Sequence, residues 1–533
     1  MAGVNQRVEV HGIEGKTMIE LSLGTIAEIV GGSLTSGTDP TTLVTGSVEF
    51  DSRKVTTGGL FVAINGARVD GHDYAAKAVA DGAVGCLLFR PVMDCGRPIP
   101  GVIVPPIPEN ERKRDSYATE NDADGSVAAV LRALSLIARH VIDVLTKEGL
   151  VVVGVTGSAG KTSTKDMMAT IFSAVGSTVA PPGSFNNEIG HPYTALKCTT
   201  ETQFLIAEMS ARGIGHIAHL AAIAPPKIGV ELNVGTAHVG EFGSQSAIAQ
   251  AKGELVEALP DNGKAVLNVD DSMVVQMASR TRAHVISYSA VTTEATVHAT
   301  DISFDHNACA SFTMHIHDEK AHHVSLRVAG EHQVSNALAA AAAAHAAGID
   351  SETIACSLNK HVGVSAHRMS IVSCPSNITV IDDAYNANNE SMRAGLSALV
   401  HTARSRGSNG WAVLGPMGEL GQESQTVHAT LGAELKNIGV HGLIAVGENS
   451  DSRALAVAAE KTGITTLVVR TNPEAARMLA PLLHADDVVL VKASNAFALW
   501  EVADELADVL SEQKLIQKPH VNDQHEERNT AGE

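Results

Sequence analysis

Within the eleven residues Gly154-Val-Thr-Gly-Ser-Ala-Gly-Lys-Thr-Ser-Thr164 the chain combines three glycines, one lysine and a series of hydroxyls. Glycines let a backbone turn its amides toward an anion. A helix starting just after them adds unpaired N–H groups, a lysine there reaches the outer phosphates, and the hydroxyl beside it can ligate Mg²⁺. The chemistry of this pattern is the binding of a nucleoside triphosphate. Its candidate contacts are Thr156, Gly157, Ser158, Ala159, Gly160, Lys161, Thr162 and Ser163, with Lys161 at the outer phosphates and Thr162 on the metal. The spacing departs from the usual P-loop, since Val155 stands where that pattern has its first glycine.

Three further segments carry candidate chemistry. Glu208 follows the apolar run Phe204-Leu-Ile-Ala207, and in a parallel sheet it would stand at a strand end beside the loop, where a carboxylate completes a Mg²⁺ site. His238 closes Ile228-Gly-Val-Glu-Leu-Asn-Val-Gly-Thr-Ala-His238, another strand entering a glycine-containing loop, where an imidazole could meet metal or phosphate. Asp382-Asp-Ala-Tyr-Asn-Ala-Asn-Asn-Glu-Ser391 follows the strand Ile378–Ile381 and has the composition of a strand-end loop. The base-reading Asn-Lys-x-Asp box of GTPases is missing, because Asn359-Lys360 continues into His361-Val362.

These residues need elements to hold them. Leu150-Val-Val-Val153 reads as a strand and Lys165-Asp-Met-Met-Ala as the start of a helix, so the glycine loop is a strand-to-helix turn. Apolar residues at helical spacing predict a helix over 126–147. An α/β unit with Ala-rich helices, such as Asn336–Ala347, extends from 126 to 367. A second run of strands separated by helices, from 368 to 512, predicts a doubly wound sheet. Residues 18–106 form a smaller α/β region, and the charged, aperiodic stretch 107–125 reads as a linker or loop. Residues 1–17 and 513–533 read as an extension and a disordered tail, with Met18 an alternative start.

Composition sets limits. A chain of 533 residues exceeds one core, and 44% hydrophobic with only 3% aromatic residues suits parallel sheets under closely packed helices. A formal charge of −20 argues against a nonspecific nucleic-acid binder. No run of about 18 apolar residues could span a membrane. The six cysteines are scattered and read as reduced thiols of a cytoplasmic protein.

Taken in order, these segments resemble the Mur ligase family. The resemblance rests on Asp51-Ser-Arg-Lys54, Phe61-Val-Ala-Ile-Asn-Gly66, Asp70-Gly-His72, Thr156–Thr162 and Phe185-Asn-Asn-Glu-Ile-Gly-His-Pro192. It continues through Asn233–Ser244, Ala251-Lys-Gly-Glu254, Gly330–Ala337 and Asp382–Met392. It implies three domains: an N-terminal one for a UDP-sugar, a central P-loop ATPase-type parallel sheet, and a C-terminal Rossmann-like domain. The implied reaction is ATP- and Mg²⁺-dependent amide formation through an acyl phosphate. The Tyr385-Asn-Ala-Asn388 box points to family members that join D-alanyl-D-alanine to UDP-N-acetylmuramoyl-tripeptide, and a monomer is expected.

By the same resemblance Lys161 stabilises the transferring phosphate, Thr162 and Glu208 hold one Mg²⁺, and His238 lies at a second. Lys252 matches a lysine that can be carbamylated in the family; by its own sequence it is a helix lysine. His332 and Asn336 match an adenine-contacting region, and Asp383, Tyr385 and Asn386 a loop at ribose and base. Ser52 and Arg53 match the UDP pocket, Asn186 and Asn187 the loop facing the acyl substrate, and Asn388 is a further substrate-binding candidate. The chain departs from the family at Glu331-His-Gln-Val334, Gly415-Pro-Met417 and Lys492-Ala-Ser-Asn495, the last removing a cation. Two other readings fit the same residues: a sister ligase adding a diamino acid to UDP-muramoyl-dipeptide, and a nucleotide-binding regulator without ligase activity.

Overall fold

The computed structural model describes residues 18–66, 69–112, 118–235 and 239–516. The 1–17 extension and His238 lie outside the described residues. So does the tail from 517, while residues 513–516, expected in the tail, belong to the helix Trp500–Ile516. The chain forms two compact units. One comprises the residues up to Arg368 with Asn388–Ala394 and Glu419–Glu423, and the other holds the remainder.

The first unit opens with α1 (Leu23–Val30), where Ser22 Oγ accepts the Thr25 amide and Gly31, at φ 63°, ends the helix in the left-handed region. A five-stranded sheet follows, built from β1 (Ser33–Leu34), β2 (Val48–Glu49), β3 (Leu60–Val62), β4 (Gly85–Leu88) and β5 (Gly101–Ile103) in the order β1-β5-β4-β3-β2. Helix α2 (Ser126–Lys147) has the bounds that its periodicity predicts and buries Val130, Leu134, Ile137, Val141 and Leu145 on one stripe. The polar stretch before it is not a bare linker at its end. The buried Asp122 carboxylate accepts the amides of Val127 at 3.2 Å and Ala128 at 2.8 Å, capping the helix.

A nine-stranded sheet forms the centre of this unit. Its strands are β6 (Val151–Thr156), β7 (Thr178–Val179), β8 (Phe204–Glu208), β9 (Ile228–Glu231), β10 (Lys264–Asn268), β11 (His284–Ser289), β12 (Val297–Phe304), β13 (Cys309–Ile316) and β14 (His322–Ala329), in the order β7-β8-β6-β9-β10-β11-β12-β13-β14. Six strands run parallel, and β12 continues the parallel pairing with β11. The last three are an antiparallel meander with no helix between them, unlike the strand–helix alternation expected across this region. Its residue pattern fits one-sided burial: alternate positions of β13 are buried, as when only one face meets a core.

The sheet is covered by α3 (Lys161–Ser173), α4 (Gly190–Ala195), α5 (Gln245–Lys252), α6 (His332–Ala346) and α7 (Ser351–Lys360). In α6 the run Ala339–Ala344 is wholly buried, and its small side chains let the helix lie close on its neighbours.

The second unit is built on β15 (Ser370–Ser373), β16 (Thr379–Asp382), β17 (Gly410–Leu414), β18 (Gly442–Val446), β19 (Thr465–Val469) and β20 (Val488–Lys492), in the order β15-β16-β20-β17-β18-β19. All pairings are parallel except the β15 edge. Strands β17, β18 and β20 are buried throughout, which is why they read as apolar runs.

Candidate active site

The site begins at the C-terminal end of β6. Parallel register sets Val155 opposite Glu208 of β8 and Thr156 opposite Glu231 of β9, so two strand-end carboxylates flank the start of the glycine loop. The carboxyl ends of parallel strands are a general place for ligands, because the loops there are free to reach a ligand and the following helix presents its N-terminus. Gly157 packs on Leu232, whose Cβ would lie 2.7 Å from a Cβ at 157. Gly160 has φ 84°, and a Cβ there would collide with the Asn336 amide oxygen. The loop therefore fits only with glycine at both places, and Asn336 of α6 lies directly against it.

Lys161 folds back so that its Nζ donates to the Gly157 carbonyl at 2.7 Å. Burial lowers its pKa; the Glu208 carboxylate opposes that shift and the nearby Arg368 guanidinium adds to it. Thr162 Oγ1, buried, lies 3.1 and 3.3 Å from the two Glu208 carboxylate oxygens and 3.1 Å from Ser184 Oγ. Asn186 Nδ2 donates to Glu208 Oε1 at 2.7 Å, and Arg368 donates to Ser184 Oγ at 3.0 Å. Thr162, Glu208 and Asn186 are thus brought together. Asn187 is used differently: its amide oxygen accepts from Gly190 N at 2.9 Å and caps α4.

The donor set suits a hard cation. Mg²⁺ takes oxygen ligands and usually keeps waters or phosphates alongside one or two carboxylates. Thr162 and Glu208 supply such oxygens, while both Glu231 carboxylate oxygens and Thr156 Oγ1 are buried without a hydrogen-bond partner among the described residues. Among the described residues no three His, Cys, Asp or Glu side chains form a closed metal centre.

Lys252 lies in the last turn of α5, 4% exposed. Burial and the positive charge of Lys161 pull its pKa down to about 7, with Glu231 opposing. Burial in turn pushes the Glu231 carboxyl well above its ordinary value, and Lys252 moderates this. Arg280 braces the end of α5 by donating to the carbonyls of Ala249 at 3.0 Å and Gln250 at 2.8 Å. On the far side of the loop, buried Asn336 donates to Gln333 Oε1 at 2.9 Å, one turn above His332, the first residue of α6.

The Ser52 turn lies elsewhere in this unit. Ser52 is buried at the head of a 3₁₀ turn, and exposed Arg53 pairs with Asp51 at 2.8 Å, which holds the Asp51 carboxyl down at about 2. Next to it, Tyr193 Oη of α4 donates to Glu49 Oε2 at 2.9 Å, and the Phe50 and Tyr193 rings are 4.9 Å apart. The UDP-pocket candidates are thereby linked to the helix that follows Asn186 and Asn187. Asn388 also belongs to the first unit, where it and Ser391 cap each other at 3.0 and 2.8 Å.

In the second unit, Asp383 receives the buried Lys492 ammonium at 2.5 Å, and the same Nζ donates to the Asn386 carbonyl at 2.9 Å. Asp383 and Asn386 are therefore held together by a lysine, with Tyr385 between them half-buried. Sequence reasoning missed Lys492 as an organiser of this turn. It also missed Glu231, Ser184, Arg368 and Asn233. Asn233 and Glu231 stood in a segment already marked as strand and loop; nothing local distinguishes Ser184 or Arg368.

The chain matches three family models: "Mur ligase family, catalytic domain" over residues 46–139, "Mur ligase middle domain" over 155–344 and "Mur ligase, glutamate ligase domain" over 367–495. It is 47% identical over 508 residues to the UDP-N-acetylmuramoyl-tripeptide–D-alanyl-D-alanine ligase of Mycobacterium tuberculosis, covering 92% of this chain and 98% of that one. The ligase of the same name from Escherichia coli is 32% identical over 497 residues, covering 92% and 99%. A crystal structure of MurF from Acinetobacter baumannii superposes with a TM-score of 0.77 at 28% identity, covering 92% of this chain and 99% of that chain. MurF ligase from Thermotoga maritima in complex with ADP gives a TM-score of 0.71 at 25% identity, covering 88% and 98%.

Proposed function

The chain belongs to the Mur ligase family, and from that premise we propose that it joins D-alanyl-D-alanine to UDP-N-acetylmuramoyl-tripeptide at the expense of ATP. The observation that carries this reading is the 47% identity to a ligase of that name over 92% of this chain. The reaction runs in two displacements. An oxygen of the tripeptide carboxylate forms a bond to the γ-phosphorus as the β–γ bridge breaks and ADP leaves. The dipeptide amine then attacks the acyl carbon, inorganic phosphate departs, and the amine gives up a proton as the amide forms.

Neither step needs a covalent nucleophile from the protein, so catalysis rests on position and charge. Lys161 would leave the Gly157 carbonyl to meet the transferring phosphoryl group, with the Arg368 guanidinium nearby. Mg²⁺, held by Thr162 and Glu208, would neutralise phosphate charge, and His238 is assigned to a second ion. Asn186 orients Glu208 and faces the acyl substrate. Burial and Lys161 favour the neutral amine of Lys252, the form that carbamylation requires. His332 and Asn336 are assigned to adenine, Asp383, Tyr385 and Asn386 to ribose and base, Ser52 and Arg53 to the UDP group. ATP and UDP-linked substrates are cytoplasmic pools, so the enzyme is placed there, as a monomer.

The test is phosphate release from ATP with UDP-N-acetylmuramoyl-tripeptide, with and without D-alanyl-D-alanine, and mass analysis of the product. Dipeptide-dependent release and a UDP-muramoyl-pentapeptide are expected. Release only with a free diamino acid and UDP-muramoyl-dipeptide would replace this function by the sister activity.

A further inference from the structure

The glycine loop is held from one side by the segment that leaves β9. Ser158 N donates to the Asn233 backbone carbonyl at 3.0 Å. The Asn233 side chain then pairs with both polar groups of the next residue: its Oδ1 accepts Ala159 N at 2.9 Å and its Nδ2 donates to Ala159 O at 3.2 Å. Ser158 Oγ accepts Gly235 N at 2.9 Å. A side-chain amide in this arrangement acts as a strand would, pairing donor and acceptor of one residue at once.

Asn233 is itself fixed from behind. Asn268 Nδ2 donates to Leu232 O at 2.8 Å, Asp271 Oδ2 accepts Val234 N at 2.8 Å and Gln245 Nε2 donates to Val234 O at 2.8 Å. Three side chains from separate elements therefore hold the two neighbours of Asn233, and the clamp reaches the loop from a rigid base.

This arrangement divides the loop amides into two sets. Those of Ser158 and Ala159 are already engaged. Those of Lys161, Thr162 and Ser163 lie ahead of the first helical bond of α3, which Thr164 N makes to Gly160 O at 2.9 Å, and Gly160 has no side chain to cap them. We propose that Asn233 is a positioning residue that sets the phosphate loop, so that phosphate is received by the Lys161–Ser163 amides while Ser158 and Ala159 serve only to shape the loop. The proposal rests on the nucleotide-binding reading of this loop, and it revises the expectation that all eight residues from Thr156 to Ser163 contact phosphate alike.

The experiment measures Mg²⁺–ADP and UDP-N-acetylmuramoyl-tripeptide affinities by calorimetry, with melting temperatures, for the full chain and for Asn233→Ala, Asn233→Asp and Lys161→Ala. Asn233→Asp keeps the acceptor for Ala159 N and loses the donor to Ala159 O with almost no change in volume, so it stays informative if the alanine variant fails to fold. Leaving loop groups unpaired should weaken ADP on the order of tenfold. UDP-substrate affinity should hold, and Asn233→Asp should melt close to wild type. Unchanged ADP affinity in both Asn233 variants, with Lys161→Ala weakened, overturns the clamp. So does a parallel loss of both ligands that tracks the melting temperature. Unchanged ADP affinity in Lys161→Ala would instead overturn the reading of the loop as the nucleotide site.

Discussion

Desolvation favours the neutral form of both half-buried Lys161 and buried His361, and the two have opposite uses for it. Around Lys161 the desolvated ammonium is matched by Glu208 across the loop, an arrangement suited to receiving a phosphoryl group. Lys161→Ala should abolish turnover while leaving UDP-substrate affinity nearly intact, because the Ser52 turn does not involve the loop. Calorimetry with both ligands checks this, and equal loss of the two would contradict it. His361 instead accepts no ligand in this reading; its Nδ1 lies 2.8 Å from Thr170 Oγ1 and burial pulls its pKa down to about 4.

Between pH 6.5 and about 4 the unfolded chain then binds a proton at His361 that the folded chain does not. Stability from this residue is fully present above 6.5 and is lost as pH falls toward 4, to an extent of about 3 kcal/mol. Urea unfolding across that range should show a shallower loss in His361→Gln than in wild type, and parallel slopes would refute the assignment.

At the scale of elements, the turns after strands matter more than the strands. Loop 415–417 after β17 is held by His428 of the helix Ser424–Ile438. The imidazole Nε2 accepts Met417 N at 2.9 Å, and Nδ1 donates to Ser424 O at 2.7 Å. The ring is wholly buried, so both nitrogens depend on these partners and the tautomer is determined by them. His428→Ala leaves the Met417 amide buried and unpaired and should cost about 1–3 kcal/mol. Denaturant titration should show that loss together with reduced hydrogen-exchange protection at Met417; wild-type protection would mean that the loop is held otherwise. The Gly415-Pro-Met departure from the family pattern is thus built into a well-defined turn.

At the scale of the whole molecule, two compact units divide the assigned residues. The loop, Glu208, Lys252, Asn186, Asn336 and the Ser52 turn belong to the first, and Asp383, Tyr385 and Asn386 to the second. Within the first unit the five-stranded sheet meets the central one through Tyr193 and Glu49, whose carboxyl burial pushes upward in pKa while the phenol opposes. Tyr193→Phe removes the donor from a buried carboxylate and should destabilise this junction by about 1–3 kcal/mol. Because Ser52 lies three residues beyond Glu49, UDP-substrate affinity should fall more than ADP affinity. Calorimetry that found the reverse would refute the link.

What the residues determine without the fold is what local physics can express. Apolar spacing set the bounds of α2, buried apolar runs marked β17, β18 and β20, and glycine with lysine and hydroxyl marked the phosphate loop. The family followed from the order of such segments. The antiparallel meander escaped because alternation over β13 says how one strand is buried but not which way its neighbours run. The candidate site was legible where its residues lie in one stretch, as at Lys161 and Thr162, and where a carboxylate ends a strand, as at Glu208.

Other contacts depend on the strand orders β8-β6-β9 in one sheet and β16-β20-β17 in the other, which place segments side by side that are distant in the chain. Asn233 meets Ala159 across 74 residues, and Lys492 meets Asp383 across 109. An asparagine or lysine carries no sign of such a partner in its own neighbourhood. Only closure of the parallel sheets, with their fixed register, decides which side chain pairs with which loop and which amides remain for a ligand.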